Sequence, residues 1–153
     1  MNKLFGPQFQ HYAIIFVRYF FGGFNLMSGL NYYVRFWPWP TLPPSPSATY
    51  IDVTITLGLF DVAKIIEMIA GLMLICNIGV PIALILLFPV TVTVFILNAF
   101  HSPLPHIMAS GTRNMIFHLI LFAAYSGYFL PLLKIRANPS PIWRNFPYIK
   151  KYF

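Results

Sequence analysis

Apolar residues dominate this chain in four long runs, broken by short clusters of proline, glycine and polar residues. The runs cover about residues 11–36, 55–77, 80–100 and 114–133. Each is near the ~20 residues a helix needs to cross the hydrocarbon core of a bilayer. None shows the strict alternation of a membrane β-strand. The pattern predicts an all-α, four-transmembrane-helix bundle in one membrane domain spanning 1–153. Its connections are an outer Pro/Trp-rich loop at 37–54 and an aromatic-basic tail at 134–153.

The connections carry their own signals. FWPWPTLPPSPSATY reads as extended chain, because proline removes backbone donors and restricts its neighbours. Trp37 and Trp39 are expected at the outer interface, where amphipathic rings prefer to sit. The second and third runs are joined only by Asn77-Ile78-Gly79-Val80-Pro81. Gly79 suits a helix C-cap and Pro81 the first turn of the next helix, so these two helices form a tight antiparallel hairpin. Pro89 falls inside the third run and frees one carbonyl. A second outer loop is expected from His101 to Arg113.

Composition strengthens the membrane reading. The sequence is 58% hydrophobic and only 8% charged, against roughly 25% charged in soluble domains. Positive residues orient it. Lys3, Lys134, Arg136, Arg144, Lys150 and Lys151 would share one side, leaving Arg35 and Arg113 on the other. Both termini are therefore expected in the cytoplasm, and the chain in a bacterial inner membrane. Arg18 interrupts the first run and no small-x-small site follows, so no cleavable signal peptide is expected. The net charge of +7 points to anionic lipid or an acidic protein face rather than nucleic acid, because it clusters beside a span. The tail residues Trp143, Arg144, Tyr148, Lys150 and Lys151 would lie along the cytoplasmic interface or clamp a neighbouring subunit.

Charge inside the apolar runs is the feature that asks for a function. Asp61, Lys64 and Glu67 stand three residues apart in the second run, and an intramembrane charge costs roughly 2.5–3.5 kcal/mol. Arg18, Gly22, Asn25 and Gly29 share one face of the first helix; Lys64, Glu67, Gly71 and Leu74 share one of the second. Thr91, Asn98 and His101 mark the third helix; Asn114, His118, Tyr125 and Tyr128 mark the fourth. Placing Gly22 and Glu67 together at mid-membrane puts Arg18 about 6 Å away along the axis. The expectation is an Arg18–Glu67 ion pair within a set (Arg18, Asp61, Lys64, Glu67) whose charges sum to zero. Three uses are open: a polar core that holds the bundle, a pocket for a quinone, headgroup or proton, or contact with another subunit.

Other chemistry is thinly supported. No HExxH or Cys-rich ligand set occurs, and the proline-broken His101–His106 segment is no helical pair, so no metal is expected. Phosphate loops, nucleophile elbows and dinucleotide fingerprints are absent. Cys76 reads as small apolar filler.

The segment EMIAGLMLICNIGVPIALILLFPV, with Glu67, Gly71, Leu74, Pro81, Ala83, Leu86 and Pro89, resembles the central hairpin of DoxX-like small membrane proteins. The first helix with Arg18 and the Lys64–Glu67 spacing are similar too. The resemblance implies a four-helix bundle, and for some relatives quinone-dependent sulfur oxidation beside other subunits. The Pro/Trp-rich loop and the aromatic-basic tail depart from that pattern. Sixteen Phe, nine Tyr and three Trp offer rigid apolar area for helices, lipid or pigment. The expected function is a non-catalytic accessory subunit of a larger membrane complex, respiratory or photosynthetic. A quinone-linked redox subunit is the alternative, with Asn98 or His101 bonding a quinone carbonyl. A small transporter ranks below both, because no inverted repeat is evident.

Overall fold

The computed structural model describes residues 6–38 and 42–130. These form helices α1 (Pro7–Val34), α2 (Pro46–Thr56), α3 (Leu59–Cys76), α4 (Val80–His101), α5 (Pro105–Ala124) and the single turn α6 (Ser126–Phe129), with no strand among them. The long helices make a closed ring: α1 packs on α3 and α5, and α4 packs on the same two. Helix α2 rests across α3 and α4.

Two expected loops are largely helical. Within 37–54, Ser45 caps α2 by accepting the Ala48 N–H at 3.3 Å, and Pro46 opens the helix where no N–H is needed. The prolines that argued against helix are here start signals. The loop expected from His101 to Arg113 shrinks to Ser102–Leu104, because Pro105 opens α5 in the same way. The last run, expected at 114–133, therefore begins nine residues earlier, and α5 stops at Ala124, where Tyr125 leaves helical geometry.

Small residues bring α1 and α3 together. Gly22 and Gly29 stand seven apart on α1, one face of a packed helix. A methyl at Gly71 of α3 would lie 2.7 Å from the Gly22 carbonyl oxygen. One at Gly29 would lie 2.8 Å from the Lys64 carbonyl. Backbone thus meets backbone, the contact that favours helix association where lipid removes a hydrophobic drive. On the opposite seam Gly111 lets α5 lie against Asn98 of α4, where a methyl would come within 2.6 Å of the Asn98 Cβ.

The α3–α4 turn is as tight as its spacing predicts, with the caps placed differently. Asn77, at φ 58°, is the left-handed C-cap of α3, and Gly79, at φ 57°, is the N-cap of α4. The Ile78 N–H returns to the Met73 carbonyl at 3.0 Å, closing the helix end. Helix α4 runs unbroken through Pro89. Cys76 is exposed rather than core filler, because it sits on the last turn before the cap.

Phe21, Ala70, Leu74, Ala83, Leu84, Leu87 and Leu121 fill the centre of the ring. The outside is equally apolar: Phe16, Ile69, Ile82, Ile85, Ile116 and Leu119 are all exposed. Gln8–Val34, Val80–His101 and Pro105–Ala124 are long and apolar enough to cross a membrane, which marks the chain as a multi-pass membrane protein. Helix α3 is not in that set. Its 18 residues span about 27 Å, and its first half carries Asp61, Lys64 and Glu67.

Candidate functional site

The polar side chains of the bundle gather at three separate stations. The first is built on α3. Lys64 and Glu67, one turn apart, both face α1 and are almost fully buried. The Lys64 Nζ donates to Glu67 Oε2 at 2.8 Å and to Ser28 Oγ at 2.9 Å, with the Phe60 ring 5.1 Å away. The missing side chain at Gly29 makes room for the Met68 side chain and the Lys64 backbone carbonyl beside this pair. Asp61 stands towards the start of α3, in the first turn, where the helix dipole favours a carboxylate. Tyr32 hydrogen-bonds its side chain, and the Tyr33 hydroxyl donates to its backbone carbonyl at 3.3 Å.

The second station closes the other end. Arg18 is 8% exposed, and its Nη1 donates to the Asn77 Oδ1 and, at 3.3 Å, to the Tyr125 hydroxyl. Its Cζ lies 5.2 Å from the Tyr19 ring centre. Asn77 and Tyr125 cap the C-termini of α3 and α5. The guanidinium thus ties the ends of α3 and α5 to α1 through their capping side chains.

The expected Arg18–Glu67 pair is not formed. Ten residues of α3, about 15 Å along its axis, separate Glu67 from Asn77. The register explains the difference: the glycine contacts seat Gly22 against Gly71 and Leu74, a full turn from Glu67. Glu67 takes its cation from its own helix instead.

The third station centres on His118 of α5, which is fully buried. A carbonyl can only accept, so Nε2–H donates to the Leu84 oxygen at 3.1 Å. On the neutral ring Nδ1 then accepts from Thr91 Oγ1 at 2.9 Å. Phe122 stacks on the imidazole at 4.9 Å between ring centres, while Phe21 and Phe88 approach edge-on. Both nitrogens are committed and the ring is enclosed. Asn25 is satisfied locally, its Nδ2 donating to the Phe21 carbonyl at 2.7 Å.

The remaining expected residues lie apart. Asn98 packs at the α4–α5 contact. His101, exposed at the end of α4, lines an open groove of about 440 Å³ with Pro46, Tyr50, Thr93, Ile96 and Leu97. Trp37 is exposed, its ring 5.5 Å from that of Phe36, and its backbone N–H donates to Asn31 Oδ1 at 2.7 Å. Trp39, Trp143, Arg144, Tyr148, Lys150 and Lys151 lie outside the described residues. No group of three His, Cys, Asp or Glu among the described residues could hold a metal ion.

Three participants escaped the pattern of polar stripes. Ser28 lies off the glycine face in sequence, yet its hydroxyl reaches Lys64. Asn77 reads as a turn residue, and its preference for left-handed geometry was the available signal. Arg113, expected in an outer loop, is on α5 between the Phe20 and Phe24 rings. Adding it to the four-residue set leaves the long helices α1, α3, α4 and α5 with one positive charge in excess, while Asp52 lies on the shorter α2.

Comparison of the chain with protein-family models, with curated proteins and with solved structures finds no match.

Proposed function

We propose that this chain is a non-catalytic accessory subunit of a larger assembly, respiratory or photosynthetic, in a bacterial inner membrane. It would cross that membrane four times, with both termini in the cytoplasm. One observation carries the reading. At each buried station the polar groups bind one another: Lys64 takes Glu67 and Ser28, Arg18 takes Asn77 and Tyr125 and leaves only its Nε without a partner among the described residues, and His118 takes Thr91 and the Leu84 carbonyl. Groups used in this way hold helices in register. They do not converge on a common space where a substrate would meet several of them.

The four-crossing topology draws on the glycine packing. Helix α3 lies along α1 from Gly22–Gly71 to Gly29–Lys64, so whatever layer holds that stretch of α1 holds α3 as well. The Lys64–Glu67 pairing then offsets the cost that kept α3 from qualifying by composition. A DoxX-like hairpin from Glu67 to Pro89 belongs to the same reading. The apolar and aromatic exterior supplies area for neighbouring helices and lipid. Tagging the chain in its native membrane and solubilising in mild detergent tests this: other membrane subunits should co-purify at fixed stoichiometry. A lone monomer overturns it.

A quinone-linked redox subunit is the second reading, and the groove beside His101 favours it. Tyr50, Thr93 and His101 put polar tips on an otherwise apolar cleft at the end of α4, the composition of a site for an amphiphilic ring. Under this reading His101→Ala and Tyr50→Phe lower the quinone content of the purified protein without altering its melting temperature. Unchanged quinone content removes it.

A further inference from the structure

Arg113 is a cation with no ion-pair partner among the described residues. It sits on α5 eight residues from Pro105, about 12 Å inside a helix apolar enough to cross a membrane. Its Nη2 approaches Ser110 Oγ at 3.4 Å, and its Cζ lies 5.0 Å and 5.4 Å from the ring centres of Phe24 and Phe20. Its Nε, like that of Arg18, is buried with no hydrogen-bond partner among the described residues. Serine and two ring faces do not supply a negative charge.

The three acidic side chains of the sequence are Asp52, Asp61 and Glu67. Glu67 is bound by Lys64 on the α1–α3 seam, and Asp61 is held by Tyr32 at the start of α3. Asp52 is exposed on α2, which packs on α3 and α4 rather than at this seam. A second copy would not help. Rotation about the membrane normal keeps each residue at its own depth, and Glu67, the acid nearest that level, is enclosed. Arg18 differs from Arg113 in bonding two side chains distant in sequence, those of Asn77 and Tyr125.

We infer that the α1–α5 seam docks a transmembrane helix of a different protein, one carrying an aspartate or glutamate at the level of Arg113. A carboxylate favours a dry, bidentate arginine over water-rich alternatives, and intramembrane charges pair in this way. The approach is lateral. Phe117 packs edge-on to Phe20 at 5.5 Å, and Phe16 follows at 6.0 Å, filling the seam between the guanidinium and the Arg18 end. A lipid phosphate entering from that end meets rings first. Phe16, Phe20 and Ile116 are exposed around the cation, giving the incoming helix apolar contact on either side of the ion pair.

This inference rests on the accessory-subunit reading and names the chemistry of one contact in it. A photo-crosslinking residue at Ile116, one turn from Arg113, tests it in the native membrane. The expected product is a membrane protein with Asp or Glu inside a transmembrane segment. Arg113→Asp should lower its co-purification by about tenfold or more, and exchanging the partner's acid for arginine should restore it. Crosslinks to lipid, to a second copy, or to nothing while the other subunits still co-purify overturn the inference and leave the proposed function standing. Failure of any subunit to co-purify with the unaltered chain overturns both. If Arg113→Asp does not accumulate, crosslinking of the unaltered Arg113 chain still decides.

Discussion

The side-chain oxygen of Asn77 accepts a hydrogen bond from the guanidinium of Arg18, and the same asparagine is the left-handed cap of α3. One residue thus ends a helix and fastens it to α1, 59 positions earlier in the chain. These two roles can be separated. Asn77→Gly keeps the left-handed conformation and removes the acceptor, and is expected to cost about 1.5–3 kcal/mol, the range for a bond to a charged group. Asn77→Ala should cost roughly 1 kcal/mol more, because alanine resists positive φ. Unfolding in detergent, monitored by circular dichroism, checks the order.

Lys64 is expected to couple to Glu67, and Arg18 is not. Glu67→Ala leaves a lysine buried without its carboxylate, an arrangement that costs about 3–5 kcal/mol. A double-mutant cycle on Lys64 and Glu67 should give a large interaction energy. The cycle on Arg18 and Glu67 should give one near zero, since the pair are far apart on the α1–α3 seam.

Two glycine-to-alanine substitutions should have opposite effects. At Gly71 a methyl lies 2.7 Å from the Gly22 carbonyl oxygen, so the helices must separate, at a cost of about 1–3 kcal/mol. At Gly23 nothing lies within 4 Å. There alanine should stabilise by up to about 1 kcal/mol through helix propensity. Melting temperatures of the two variants in one detergent decide the matter.

The two histidines of interest should respond unlike each other. His118→Ala empties a closed aromatic cage and strands Thr91 and the Leu84 carbonyl, with an expected loss of about 3–5 kcal/mol. His101→Ala, at an exposed position, should change stability by about 0.5 kcal/mol or less. Any effect of His101 should appear in ligand content, measured on the same preparations.

The sequence by itself determined that the chain is helical and apolar, where most helices run, and which residues are polar within them. Hydrophobic runs and helical period depend on local composition, so they are legible without a partner. The tight hairpin at Asn77–Pro81 was legible for the same reason. Prolines misled at Pro46 and Pro105, because the same residue that ends one helix opens the next, and only the neighbouring cap distinguishes the two. Pairing between helices was decided by tertiary structure alone. Lys64 and Glu67 meet within one helix, but Arg18 turns to Asn77 because Gly22, Gly29 and Gly71 set the sliding register of α1 on α3. That register depends on backbones distant in sequence lying so close that a methyl added at Gly29 or Gly71 would come within 3 Å of the facing backbone. A shift of one helical turn leaves every local pattern intact and changes every partner across the α1–α3 seam.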